Sequence, residues 1–424
     1  MPKGDFVAFE RLKDLAQRIR SGKQAPASPW RTPVTLDRGI LGEASLALDS
    51  QGRGSALWEN SGRLWTMPVG PNTAPALVRL PMGDGTSPRI VVNAAGRGIA
   101  LWHAQVGAER QILGKVLGGT DDPARVIFRT DGRIHHLQAA VDRRGNALVV
   151  WLLEKDGDIE VMTQSFETRG PAWEQAPTTL GAPSANSVEP RIAGNHREHA
   201  MVLWEDEGGT SAGLVASHYW PADRIWSDRP MPVVSHATRD HRVVMDDQGN
   251  ALALWVHAPR GQRSSLEASY YDGLHSEWSA PESISQAQTL SSLRLVMSGN
   301  GEALAAWCQA EGHGASRLLT KAFKNGRWEP GVDCLELGHG TVRDFAIDLG
   351  PEGEAGLLAV HQGNEGDWVS ARLRRREWSP SIPLVSASQM PCSSPRLRLC
   401  HQGASALWIQ GAGRERALLL AETW

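Results

Sequence analysis

Tyrosine and phenylalanine are scarce: the 424-residue chain has three and six of them, against 17 tryptophans. A general apolar core draws on all three aromatics, so the imbalance indicates that tryptophan holds a fixed place in a repeat. No apolar run approaches the roughly 18 to 20 residues that cross a bilayer, so no membrane span is expected. The start, MPKGDFVAFERLKDLAQRIRSG, carries charges where a secretory signal needs an apolar stretch, and a soluble cytoplasmic protein is the expectation. Neither sign of charge dominates, with 44 Lys and Arg against 47 Asp and Glu. Bulk attraction to nucleic acid or anionic lipid is therefore not expected. The four cysteines, Cys308, Cys334, Cys392 and Cys400, form no C-x-x-C and accompany no histidine pair at zinc-ligand spacing. They point to free thiols and no metal, with a Cys392 to Cys400 bridge left open. Phosphate-cradling loops, dinucleotide fingerprints and G-x-S-x-G are also missing, so no cofactor is expected.

What the chain does contain is one phrase written repeatedly. MDDQGNALALW ends at Trp255, LDSQGRGSALW at Trp58, VNAAGRGIALW at Trp102 and VDRRGNALVVW at Trp151. The full series of anchors is Trp58, Trp102, Trp151, Trp204, Trp255, Trp307, a degenerate Ala359 and Trp408, which makes eight copies at a period near fifty residues. Each copy has an alternating run before the turn and another after it, the period-two pattern of strands A and B. A third run (Val161 to Phe166, Leu266 to Asp272, Leu318 to Phe323) supplies strand C. A fourth begins at a second tryptophan, as at Trp173, Trp226, Trp278 and Trp378, and its prolines suit an outer edge strand D.

Four antiparallel strands per fifty residues predict a propeller blade, because one such sheet must pack against neighbours on both faces. The last copy stops after strand C, while WRTPVTL, from Trp30, matches a strand D with no blade before it. The N-terminal strand, residues 30 to 36, is therefore expected to pair near Arg416 to Ala421 and close an eight-bladed, all-β propeller over residues 30–424. Within residues 1–29, Phe9, Leu12, Ala16 and Ile19 mark an amphipathic helix over 5–21, followed by a linker. That helix is expected to dock on the propeller, with a partner or a second copy as the alternative.

Gly-Asn-Ala followed by tryptophan resembles the sialidase-like, BNR-like group of bacterial propellers. The resemblance implies a propeller and, in true sialidases, a tyrosine nucleophile, an acidic general acid and three arginines on a substrate carboxylate. The Asp-box, Ser-x-Asp-x-Gly-x-x-Trp, occurs in no repeat. Tyr219 and Tyr271 fall in the strand C column that elsewhere holds Phe166 and Phe323, and Tyr270 is their neighbour. Asp49, Asp142, Asp246 and Asp348 read as formers of the A to B turn. His196 and His199 read as a solvated turn, and His135 and His136 are equally isolated. None of these suggests an enzyme.

One column does stand out. Four residues before the turn position stand Arg89, Arg191, Arg242, Arg294 and Arg396, with Ser45, Gln138 and Asp344 in the other blades. Strand A is the innermost strand, so these side chains are expected around the mouth of a central channel. They would either pair with Glu189, Asp240 and Asp344 or receive an anion. The resulting expectation is a non-enzymatic protein-binding or scaffolding propeller that takes an acidic partner segment. The alternative is a carbohydrate-active propeller, a lectin or a glycosidase or lyase. The B to C loops share no repeated set of aromatic and polar residues, which favours a protein partner.

Overall fold

The computed structural model describes residues 28–71, 79–117, 123–167, 176–184, 187–206, 213–311, 316–335 and 340–424, with backbone alone for residues 182–184 and 187–188. The expected N-terminal helix and Trp173 lie outside the described residues. The fold is an all-β propeller of eight antiparallel blades, each with its strands in the order A, B, C, D. The eight A strands are Leu41–Leu48, Thr86–Val92, Arg133–Val141, Ser187–Gly194, Arg239–Met245, Thr289–Met297, Thr341–Leu349 and Cys392–Cys400, which number blades 1 to 8. By contacts the chain forms two compact units, one from residues 1–84 and 336–424 and one from residues 85–335. Blades 7, 8 and 1 belong to the first and blades 2 to 6 to the second.

The alternating sequence explains where the core lies. Each blade has apolar residues on both faces, so apolar clusters form between successive blades and not within one. Trp307 of blade 6 packs with Leu252, Leu254 and Leu266 of blade 5, and Trp151 of blade 3 with Ile99, Leu101 and Ile112 of blade 2. The repeated tryptophans are all 2% exposed or less. Truncating one to Ala costs about 3–5 kcal/mol by the usual large-to-small penalty. Blade 7 shows how the place is filled without a tryptophan on strand B. Its Gly340 lies against Trp368 of strand C (Gly366–Arg374), as Gly85 lies against Trp102 in blade 2. A Cβ on either glycine would come within 2.4 Å of the indole, so both positions require glycine.

The N-terminal strand completes blade 8 as expected. Val34–Gly39 runs antiparallel to Arg416–Glu422, with Val34 opposite Leu420 and Gly39 opposite Arg416. It starts four residues later than the Trp30 match. Trp30 is instead a buried anchor, and the chain next to it is held by Arg31 N donating to Glu422 O at 2.8 Å. This strand also carries Asp37, which accepts from Trp58 Nε1 at 2.8 Å and Asn60 Nδ2 at 2.9 Å, tying blade 8 to blade 1. The prolines of strand D act as expected for an edge. In blades 4, 5 and 6 the outer strand is broken in two, as in Ile225–Trp226 and Met231–Val234 around Pro230.

In blades 1 to 5 the A to B turn rests on an Asx side chain that accepts two backbone amides. Asp246 Oδ1 takes Gln248 N at 2.8 Å and Asn250 N at 2.9 Å, and Asp49 and Asp142 repeat the pattern. Where the residue is Asn, its spare amide reaches the next blade: Asn195 Nδ2 donates to Asp246 O at 2.8 Å and Asn93 Nδ2 to Asp142 O at 2.9 Å. Asp348 does not belong to this set. In blade 7 the turn position, nine residues before Ala359 as in blades 1 to 6, is held by Gly350, with its N–H on Glu354 O. Asp348 stays on the strand, where it accepts Leu399 N of blade 8 at 2.7 Å, and burial raises its pKa. The four cysteines are free. Cys392 and Cys400 end the same nine-residue strand, roughly 26 Å apart at 3.3 Å per residue, which rules out a bridge between them.

Candidate anion-binding site

Register places the arginine column independently of the sequence alignment. Arg89, Arg191, Arg242, Arg294 and Arg396 each face the residue that precedes the anchor tryptophan: Leu101, Leu203, Leu254, Ala306 and Leu407. In blade 7 the residue so placed is Ala346, opposite Leu358, and not Asp344, which is the same two-residue offset that displaced Asp348. Four arginines of the column lie in the unit of residues 85–335; Arg191, Arg242 and Arg294 are on A strands that adjoin in succession, and the A strand of blade 3, with Gln138, separates Arg89 from them. Arg396 lies in the other unit, where its Nε donates to Ala44 O at 3.2 Å and its Nη1 to Pro395 O at 3.0 Å.

Just ahead of the column, strand A slips register against strand B in every blade. The slip ends at the column residue in six blades, as between Val188 and Arg191 or Arg239 and Arg242, and one and two residues earlier in blades 1 and 7. In six blades the residue two before the column position is left-handed: Ser87, His136, Glu189, Asp240, Ser292 and Ser394, with φ between 43° and 56°. Such a backbone costs on the order of 1 kcal/mol at a non-glycine residue, and bulges of this kind redirect side chains. Here the redirected residue includes both acids that serve the column. Glu189 Oε2 accepts from Arg191 Nη2 at 2.8 Å, and Asp240 Oδ1 lies 2.7 Å from Arg242 Nη2. The pairing expected for Glu189 and Asp240 is therefore present. Asp344 uses its Oδ1 on the following amide, Phe345 N, at 2.8 Å.

Adjacent blades are stitched through the same bulges. His241 Nε2 lies 2.8 Å from Glu189 O, Leu293 N donates to Asp240 Oδ2 at 2.9 Å, and Gln138 Nε2 donates to Pro190 O at 3.1 Å. Burial, followed by the charge of Arg191, pushes His241 down to about 4, so the ring is neutral at pH 7. A carbonyl can only accept, which fixes the proton on Nε2. Burial also lowers Arg242, to about 10, and Arg191 and Arg294 push it in the same direction against Asp240 and Glu189. His136 is held down by burial and by Arg191, His135 and Arg89, with Glu189 opposing. Arg89, Arg191, Arg242 and Arg294 thus form one electrically connected arc, with Glu189 and Asp240 set into it.

The other sequence candidates fall elsewhere. Tyr219 and Tyr271 pair with Ala200 and Ala251, the register that Phe166 and Phe323 occupy in their own blades, so the column reading of these tyrosines holds. Burial raises the pKa of Tyr219, Tyr270 and Tyr271 alike. His196 is a turn residue bound to Asp247, with its N–H on Oδ1 at 3.2 Å. His199 is not a solvated turn residue. Its Nδ1 meets His218 Nε2 at 3.2 Å, and His218 Nδ1 meets Tyr271 Oη at 3.0 Å, beside Trp220. Burial brings His218 to about 4. A shallow cleft, open to solvent, lies between blades 3 and 4 near the A to B turns and is lined by Asp142, Glu167, Glu198, Tyr219 and Arg224. Its glutamates are engaged, Glu167 by Arg224 and Glu198 by Arg144, and Asp142 is spent on its turn.

Sequence reading found the arginines but not the bulge that organises them. A signal was available: the column is preceded by Ser-Pro, Glu-Pro and Ser-Pro at Arg89, Arg191 and Arg396. A polar residue followed by proline, repeated in mid-strand, marks a break in the ladder. The contacts of Gln138 and His241 had no such signal, because they are made between blades.

No family model matches the chain, and no curated protein matches it. Among solved structures it is similar to a polysaccharide lyase at 8% identity and TM-score 0.49, covering 92% of this chain and 98% of that one. It is also similar to a lectin from Burkholderia pseudomallei, at 12% identity and TM-score 0.44, covering 76% and 95%. A sialidase from Trypanosoma rangeli, bound to the inhibitor DANA, gives 10% identity and TM-score 0.40, covering 72% and 56%. These are likenesses of architecture.

Proposed function

We propose that this chain is a non-enzymatic binding propeller whose arginine arc, in the unit of residues 85–335, receives an acidic segment of a protein partner. The observation that carries this reading is the setting of Arg242, which has Arg191 and Arg294 as charged neighbours on the flanking strands. Two cations beside a third make an anion welcome, and arginine forks suit carboxylates in bidentate geometry. The tyrosines and turn aspartates support binding over catalysis, since packing and the turns account for them. The B to C loop of blade 5, after Ala251–His257, presents Arg260, with Arg263 paired to Glu311, and no aromatic platform for a sugar.

A blocked hexaglutamate peptide titrated into the protein at low salt tests the reading. Binding is expected, weakening as salt rises, and the double variant Arg191→Ala, Arg294→Ala should lose roughly ten-fold or more in affinity. Unchanged affinity in that variant would overturn the reading. Cleavage of a uronic-acid oligosaccharide by the wild-type protein would replace it with a carbohydrate-active one.

A further inference from the structure

The arginines of the column are not equivalent. Four of them turn back on their own strand: Arg89 Nη1 donates to Pro88 O at 3.0 Å, Arg242 Nη1 to His241 O at 2.6 Å, Arg294 Nη1 to Leu293 O at 3.0 Å and Arg396 Nη1 to Pro395 O at 3.0 Å. Arg191 does not. The carbonyl it would use, Pro190 O, accepts Gln138 Nε2 of the neighbouring blade at 3.1 Å. Gln138 holds the column position of blade 3, so the blade that lacks an arginine is the one that occupies its neighbour's acceptor. Among the described residues Arg191 is left with one bond, Nη2 to Glu189 Oε2, and its buried Nε has no hydrogen-bond partner.

The two acids differ in the same way. Asp240 is held twice, by Arg242 and by the Leu293 amide. Among the described residues the Glu189 carboxylate is held by Arg191 alone, and its side chain is 38% exposed. A guanidinium has five N–H donors, and a single-point glutamate contact uses one of them. We propose that Arg191 is the residue that grips the incoming carboxylate, that Glu189 is a built-in occupant it displaces, and that Gln138 is the positioning residue that keeps Arg191 available. This rests on the anion-binding reading above. In the exchange one carboxylate replaces another, so Arg191 keeps a counter-charge throughout. Glu189 moves into water it already touches, and the ligand gains by contacting two donors where Glu189 contacted one.

The experiment titrates sodium sulfate and, separately, blocked hexaglutamate into the full chain and its Glu189→Gln, Gln138→Leu and Arg191→Ala variants. With its competitor neutralised, Glu189→Gln should bind about five-fold more tightly. Gln138→Leu should bind about five-fold more weakly, because Arg191 Nη1 can then fold onto Pro190 O as in the other blades. Glu189→Gln is partly exposed and isosteric, so it decides the matter even if Gln138→Leu does not fold. If Arg191→Ala abolishes binding while Glu189→Gln binds as wild type, the arc binds anions but the occupant model is wrong. Sulfate binding with the expected Glu189 effect, but no peptide binding, would keep Arg191 as the grip and remove the acidic-segment reading. No binding of either probe to the wild-type protein overturns both.

Discussion

Arg191 and Arg242 hold the same register position on neighbouring strands, and each has an acid two residues earlier in a left-handed bulge. They nevertheless end in different states. Arg242 is locked, with Asp240 beside it, the preceding carbonyl, His241 O, as acceptor and a side chain 19% exposed. For Arg191 the corresponding carbonyl, Pro190 O, is taken by Gln138 of blade 3, and one exchangeable acid remains. A repeat thus supplies a row of like residues, and contacts across the blade boundary decide which of them is structural and which is available.

The largest effect expected from this contrast is on stability. Asp240→Ala removes the counter-charge of a mostly buried guanidinium and also a partner of the Leu293 amide, and should cost about 2–4 kcal/mol. Glu189→Ala, in the same column one blade away, should cost less than about 1 kcal/mol, because its pair is partly solvated. Urea unfolding of the two variants measures both. Equal losses would mean that the two arginines are held alike.

Acid sharpens the contrast next. His241 lies between the two arginines and, like His218, is pushed down to about 4 in the folded chain. The unfolded rings take up a proton near pH 6.5 and the folded ones do not. The stability this provides is whole above pH 6.5 and is lost as pH falls toward 4, on the order of 3 kcal/mol per group. His361 is held at about 4 in the same way. His241→Gln keeps a donor for Glu189 O and removes one of these titrations, so its unfolding free energy should fall less steeply between pH 6.5 and 4. An unchanged slope would show that His241 is protonated in the fold.

Much of this was legible in the sequence, and the failures have physical reasons. The blade count, the outer strand from the N-terminus and the arginine column follow from alternation, turn chemistry and a missing strand, all local or periodic signals. In blade 7 the anchor Ala359 keeps its place in the repeat, but Gly350 stands at the Asx position, so the nearest aspartate, Asp348, takes the turn-former's reading and Asp344, four residues before it, the column's in place of Ala346. The availability of Arg191 could not be read at all, since it depends on where Gln138, 53 residues earlier, places its amide.

The smallest stability effect expected is that of Glu189→Gly. Glycine accepts the left-handed backbone at φ 43° more readily than glutamate, so the bulge should survive and stability should change by no more than about 0.5 kcal/mol. The variant removes the occupant without disturbing the strand, and its sulfate affinity should rise like that of Glu189→Gln. A melting temperature several degrees lower would place Glu189 among the structural residues, with Asp240.

The most direct measurement is anomalous diffraction from crystals soaked in selenate, which locates an anion without assuming a partner. The account predicts a selenium peak within hydrogen-bond reach of the Arg191 guanidinium, with the Glu189 carboxylate turned away from it. An intact Glu189–Arg191 pair with no peak beside it, or selenate bound at Arg242 alone, would contradict the account.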